Sequence, residues 1–308
     1  MPSTPWTVAD LPDQRGRTAL VTGANAGLGF EIAAALAASG ATVVLGCRNQ
    51  AKAEVAAAAL GRRAPGATVD IVPLDLASLD SVRAAAAAVR AGHPRLHLLA
   101  NNAGVMATDE ARTADGFELQ FGVNHLGHFA LTLELLPLLV AADGARIVTM
   151  SSMAHRVGRL HLEDLNADRR PYRRWPAYCQ SKLANLAFTA ELHRRLMQRH
   201  PATLTLAAHP GASTTDLGSE GSSLSNRMLA PLAVGGQSAT AGAAPFLRAA
   251  TDPDARGGQF YGPRWMLRGP AVLETPSRRA RRAADALALW DASEALTGLR
   301  FDTVVPPS

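Results

Sequence analysis

Two cysteines in 308 residues, Cys47 and Cys179, cannot build a disulfide framework, and neither belongs to a Cys-x-x-Cys pair. That usage suits a reducing compartment, and a cytoplasmic protein is expected. Aromatic residues make up only 5% of the chain, too few to supply stacking platforms for nucleic-acid bases. Charge of one sign is scarce as well. The 31 Lys+Arg against 26 Asp+Glu leave a formal +5, enough for a solvated surface and a pocket for a phosphorylated ligand. The arginine clusters at 169–174 and 278–282 lack an apolar face suited to lying on a bilayer and read as solvated surface. Met1–Gly16 has no charged-then-apolar signal pattern. No uninterrupted apolar run reaches the roughly 20 residues that span a bilayer, so no membrane anchor is expected. The nine histidines include no His-x-x-x-His with acidic support, and no metal is expected.

What is present is alternation. Strand-like runs at Thr18–Thr22, Ala41–Cys47, Thr68–Pro73, Leu96–Ala100, Arg146–Ser151, Thr203–Ala208 and Gln259–Tyr261 are separated by helical segments. This pattern predicts a parallel sheet of about seven strands covered on both faces, an α/β fold. A long helix is expected from Gly116 towards Leu139, and another over Ser277–Leu296. No repeat or linker divides the chain, so residues 1–308 are read as a single domain. It carries an N-terminal extension at 1–16, a Gly/Ser/Thr-rich mobile loop at 211–236 and a tail at 270–308.

Chemistry enters at three places. Thr22-Gly23-Ala24-Asn25-Ala26-Gly27-Leu28-Gly29 joins the first strand to the first helix. Gly23 and Gly27 permit a tight turn, and Gly29 lets the helix pack near the sheet with its positive end towards a pyrophosphate. At the end of the second strand, an acidic residue would hold a ribose diol and repel a 2′-phosphate. Gly46-Cys47-Arg48 stands there instead. Arg48 offers a permanently charged fork for a phosphate, which selects NADP(H), although a plain surface arginine would look the same. Finally, Tyr178 and Lys182 lie four apart in Pro176-Ala-Tyr-Cys-Gln-Ser-Lys-Leu-Ala-Asn185 and share one face of a helix. A phenol titrates near pH 10, and a neighbouring ammonium favours its ionised form. Lowering that value by roughly three units takes about 4 kcal/mol, more than one helper supplies.

The Gly-x-x-x-Gly-x-Gly turn is followed in order by Asn101-Asn102-Ala103-Gly104, Ser151-Ser152 and Tyr178-x-x-x-Lys182. From Gly23 to Lys182 this set resembles the short-chain dehydrogenase/reductase superfamily. Asp115-Gly-Phe-Glu-Leu-Gln-Phe-Gly-Val-Asn-His-Leu-Gly-His-Phe-Ala-Leu-Thr132, the Tyr178–Asn185 segment and Leu289-Trp-Asp-Ala-Ser-Glu294 are similar to its retinol dehydrogenase-like branch. The resemblance implies a Rossmann-type doubly wound sheet. It implies that Asn25, Ala26 and Leu28 join the three glycines of the turn in holding the cofactor. Asp75 and Leu76 would flank the adenine, although Asp75 also reads as a helix cap. Asn101, Ala103 and Gly104 would line the cleft, and Pro210, Gly211 and Thr214 (or Thr215) would lie along the nicotinamide. Ser152, or alternatively Ser151, would bond the substrate oxygen. Tyr178 would move the proton, and Lys182 would lower the tyrosine pKa and hold the nicotinamide ribose. Asn124 would position a relay water. His125 and His128 resemble a packing signature. Pairing through the helices bearing Asn124 and Tyr178 would give a homodimer or homotetramer. The activity implied is NADP(H)-dependent interconversion of a moderately apolar carbonyl compound and its alcohol. The alternative is a catalytically silent NADP(H)-binding sensor or scaffold.

Overall fold

The computed structural model describes residues 5–212 and 237–304. Each expected strand forms within two residues of its sequence boundaries. In chain order the elements are β1 (Thr18–Thr22), α1 (Gly27–Ala38), β2 (Thr42–Cys47), α2 (Gln50–Arg63), β3 (Val69–Pro73), α3 (Leu79–Gly92) and β4 (Leu98–Asn101). There follow a long helix α4 (Leu119–Val140), β5 (Arg146–Met150), α5 (Arg174–Arg199) and β6 (Leu204–Ala208). After the gap come α6 (Ala239–Thr251), β7 (Phe260–Pro263), β8 (Ala271–Glu274), α7 (Ala283–Thr297) and the short α8 (Phe301–Val304). The eight strands lie in the order β3-β2-β1-β4-β5-β6-β7-β8. All neighbours are parallel except β7 and β8. Strands β1, β2, β4, β5 and β6 are almost wholly buried, as a sheet covered on both faces requires.

Local chemistry sets the helix starts. Asn49 caps α2 by accepting the Lys52 N–H at 2.9 Å, and Ser78 caps α3 through the Ser81 N–H. The helix expected from Gly116 begins at Leu119, because Gly116 is a left-handed turn residue (φ +85°). The Glu118 carboxylate takes the Gln120 and Phe121 N–H groups at 2.8 and 2.7 Å, so it is the cap. The tail departs most from expectation. Residues 271–274 add an eighth, antiparallel strand, and the helix expected from Ser277 begins only at Ala283.

One face of the sheet carries α3, α4, α5 and α7, the other α1, α2 and α6. Residues Leu119–Val140 are long and apolar enough to cross a membrane, but 78% of that window is buried in this core. Trp290 on α7 stacks on Phe188 of α5 (centroids 6.0 Å) and meets Phe129 of α4 edge-on at 5.1 Å. Arg195 covers its other side at 4.5 Å. The chain's own tail therefore occupies part of the α4–α5 surface expected to pair with a second copy.

Candidate active site

The strand order reverses between β1 and β4, and the expected motifs converge at the carboxyl ends of these strands, where ligands of such sheets sit. The glycine turn is built by close approach. A Cβ at Gly29 would lie 2.3 Å from the Gly23 carbonyl oxygen, and one at Gly23 would lie 2.9 Å from Ala103 Cβ. Ala26, extended at the N-cap of α1, has no side chain that bonds the helix, so the first-turn N–H groups keep no side-chain partner. Burial pushes the Cys47 thiol up, opposed by the nearby backbone N–H groups of Ala24 and Asn25, and the Gly23 N–H donates to the Gly46 carbonyl at 2.8 Å. The turn is thus tied to β2.

Thr22 fastens the turn to β4. Its hydroxyl accepts the N–H groups of Asn102 and Ala103 at 3.0 and 2.9 Å, and Asn102 Nδ2 donates to the Thr22 carbonyl at 2.9 Å. His128, read from the sequence as packing, has a second role. Its Nδ1 faces the Asn124 carbonyl at 3.1 Å and so carries the ring hydrogen, leaving Nε2 to accept from the Thr22 hydroxyl at 2.9 Å. Burial first, and then the Lys182 charge, keep the ring neutral by lowering its pKa to about 4, against the pull of the Asn124 bond. Thr22, Asn102 and His128 were missed because their contacts with one another span 80 to 106 positions of the chain.

Two candidate residues have side chains held within the protein. Asn101 is buried and gives its Nδ2 to Thr132 Oγ1 at 3.0 Å, so its amide is turned into α4 and only its backbone is left to border the cleft. The Asn124 amide is engaged within the protein. Oδ1 accepts from Val105 N at 2.8 Å, while Nδ2 donates to the Val105 carbonyl and to Ser181 Oγ, both at 2.9 Å. Asn124 thereby pins the segment after Gly104 to α5. It sits in a π turn, Gly122–Leu126, inside α4, a feature that recurs at functional sites.

The serine pair separates cleanly. Ser151 is buried and donates to the Lys182 carbonyl at 2.8 Å. Ser152 is half-buried, and its hydroxyl lies near enough to the Tyr178 phenol to favour the ionised form. Trp175 stands edge-on to Tyr178, with ring centroids 6.0 Å apart. The Lys182 ammonium lies 5.8 Å from the Tyr178 ring centre and points to the Met150 carbonyl at 3.4 Å. A Cβ on Gly104 would stand 3.2 Å from that ammonium and 2.9 Å from Asn124 Oδ1, so glycine is what lets the β4 loop enter here.

The expected lowering of the phenol pKa is absent from the protein by itself. Burial pushes Tyr178 up to about 12, only partly opposed by the nearby Ser152 hydroxyl. Burial also lowers Lys182 to about 8. The lysine is too distant and too well turned towards Met150 to stabilise a phenolate.

Arg48 is exposed at the end of β2 and, among the described residues, has neither a hydrogen bond nor an ion pair. Asp75 is no helix cap. Its Oδ1 accepts the Ala77 N–H at 2.9 Å and shapes the loop before Ser78, while Leu76 is buried with its carbonyl against Gly127. Gly211 is left-handed (φ +68°), and the Pro210 carbonyl accepts Gln237 Nε2 at 2.8 Å. Thr214 and Thr215 lie outside the described residues. No group of three or more metal-ligating side chains occurs among the described residues. A cavity of about 150 Å³ behind α5, lined by Leu186, Thr189 and Phe260 among others, contains none of these residues.

A sequence model of the short chain dehydrogenase family matches residues 17–223. The chain is 41% identical to retinol dehydrogenase 13 of Homo sapiens over 94% of its length and 87% of that protein. It is 39% identical to human retinol dehydrogenase 12, over 93% of this chain and 88% of the relative. The crystal structure of an uncharacterized protein from Mycobacterium paratuberculosis superposes with a TM-score of 0.82 at 46% identity, covering 97% of this chain and 99% of that one. A Shigella flexneri short chain dehydrogenase complexed with NADP has the same fold (TM-score 0.64, 24% identity, 82% and 99% covered). With the glycine turn, the Ser152–Tyr178 contact and Lys182 assembled at the reversal of the sheet, the chain belongs to the short-chain dehydrogenase/reductase superfamily, in its retinol dehydrogenase-like branch.

Proposed function

We propose that the protein is an NADP(H)-dependent oxidoreductase that reduces an aldehyde or ketone to its alcohol, and runs the reverse, on moderately apolar substrates. The convergence of the Ser152 hydroxyl and the Tyr178 phenol beside Lys182, at the carboxyl end of β5, carries this reading. The residues present suit a dinucleotide. The uncapped N–H groups of α1 suit the pyrophosphate. Arg48, free and permanently charged, suits a 2′-phosphate. Leu76 and the Asp75 loop would border the adenine, with Ala103, Gly104, Pro210 and Gly211 along the rest of the cofactor.

When bound, the nicotinamide supplies the hydride. The chain's residues manage the oxygen that receives the charge. Ser152 holds the carbonyl oxygen, and Tyr178 donates a proton to it. A phenol pushed up to about 12 is protonated at neutral pH, which suits the reductive direction. Lys182, turned towards the Met150 carbonyl, would hold the nicotinamide ribose. Asn124 and His128 hold the backbone around these groups.

Purified protein with NADPH and a panel of aldehydes and ketones tests the proposal. Cofactor consumption is expected, with Tyr178→Phe losing at least about a hundredfold in kcat. Full activity in that variant removes the tyrosine from its role. Arg48→Ala is expected to raise the KM for NADPH and leave that for NADH nearly unchanged.

A further inference from the structure

The His209-Pro210-Gly211 turn is braced from the side by charged residues that the motifs do not include. His209 is only 1% exposed, and its Nδ1 accepts the Gly211 N–H at 3.2 Å. Nε2 must then carry the ring hydrogen, which it donates to Glu274 Oε1 on β8 at 3.0 Å. The other carboxylate oxygen, Oε2, accepts Arg156 Nη2 at 3.1 Å. Burial works against the ionised carboxylate, but His209 and Arg156 outweigh it and hold the Glu274 pKa below its ordinary value. Gly262 makes the space. A Cβ there would fall 2.2 Å from His209 Nε2 and 2.3 Å from Glu274 Oε1.

The second arm reaches the serine. Arg156 closes the 3-10 turn that Ser152 caps. In that turn His155 Nδ1 donates to the Ser152 carbonyl at 2.6 Å, and its Nε2 accepts the Ser277 N–H at 3.3 Å. The strand that sequence reading missed, with the residues after it, therefore grips both the turn after β6 and the Ser152 segment.

We infer that Glu274 is a positioning residue: through His209 it fixes the Pro210-Gly211 turn along the nicotinamide, and through Arg156 it fixes Ser152 on the substrate oxygen. The inference rests on the function proposed above, and the two arms are separable. Glu274→Ala is expected to weaken NADPH binding to the apoprotein about tenfold and to raise the carbonyl KM about as much, as loss of alignment at a reacting centre does. Glu274→Gln keeps an acceptor for His209 but turns an amide towards Arg156. It should restore NADPH affinity and leave the carbonyl KM high. Arg156→Met should behave like the Gln variant, and His209→Phe should weaken NADPH binding alone. Fluorescence titration with NADPH and steady-state kinetics on the best aldehyde of the panel measure both arms, and Arg156→Met and His209→Phe give the split even if Glu274→Ala does not fold. Arg156→Met, His209→Phe or Glu274→Gln moving both quantities together, or all variants moving neither, overturns the inference while the proposed function stands. Wild-type protein that binds no NADPH overturns both.

Discussion

Lys182 is an ammonium buried without a carboxylate, and that gives stability a pH dependence of definite sign. Its folded pKa of about 8 lies below the ordinary lysine value of 10.5, because burial disfavours the charge. Between those two values the unfolded chain binds more protons, so stability should rise with pH across this window. Below about pH 8 the full penalty is present, on the order of 3 kcal/mol. Urea denaturation of wild type and Lys182→Met at pH 7 and pH 9.5 checks this: the variant's advantage should be largest at pH 7 and shrink at the higher pH. A constant difference would mean that Lys182 keeps its charge at no cost in the fold. Tyr178 carries the opposite sign between about pH 10 and pH 12, where the folded protein alone retains the phenolic proton.

At the scale of an element, α1 trades its own stability for a ligand. Ala26 leaves the first turn without a side-chain cap, in an extended conformation (φ −159°, ψ 168°) that suits a capping aspartate. Ala26→Asp should therefore stabilise the apoprotein by about 1 kcal/mol. The same carboxylate would sit where the pyrophosphate is proposed, so NADPH affinity should drop by an order of magnitude or so. Thermal melts with and without NADPH read both effects, and a variant that binds NADPH as well as wild type places the phosphates elsewhere. The tail helix α7 makes a simpler case. Trp290 packs among Phe129, Phe188, Phe301 and Arg195, and Trp290→Ala should cost about 3–5 kcal/mol in denaturation.

In the molecule as a whole, buried histidines tie distant segments together. His128 joins β1 to α4, His125 joins α4 to Ser293 of α7, and His155 joins the Ser152 turn to Ser277. Burial lowers all three, His125 to about 3 and the other two to about 4. Unfolding lets them take up protons below pH 6.5, so stability should fall steadily as pH drops from 6.5 towards 4. His128→Leu should flatten part of that slope, as circular dichroism melts across the range would record. An unchanged slope would assign the acid sensitivity to other groups.

The alternation of strands and helices was legible because apolar periodicity acts over a few residues and needs no partner. The glycine turn and the Tyr178–Lys182 pair were legible for the same reason: their spacing alone fixes a turn and a shared helix face. The sequence resemblance preferred Ser152 over Ser151, and packing supplies the physical reason: Ser151 is spent on the Lys182 carbonyl, while Ser152 lies beside the phenol. The bonds that hold the Asn101 and Asn124 amides could not be read from sequence, since the groups that claim them, Thr132, Val105 and Ser181, come from other segments. The same holds for β8 and for Glu274, 65 residues from the histidine it braces. Sequence by itself determined the order of elements and the chemical groups available. Tertiary structure alone decided the protonation of Tyr178 and the orientation of the polar side chains, because burial and long-range hydrogen bonds exist only once distant segments meet.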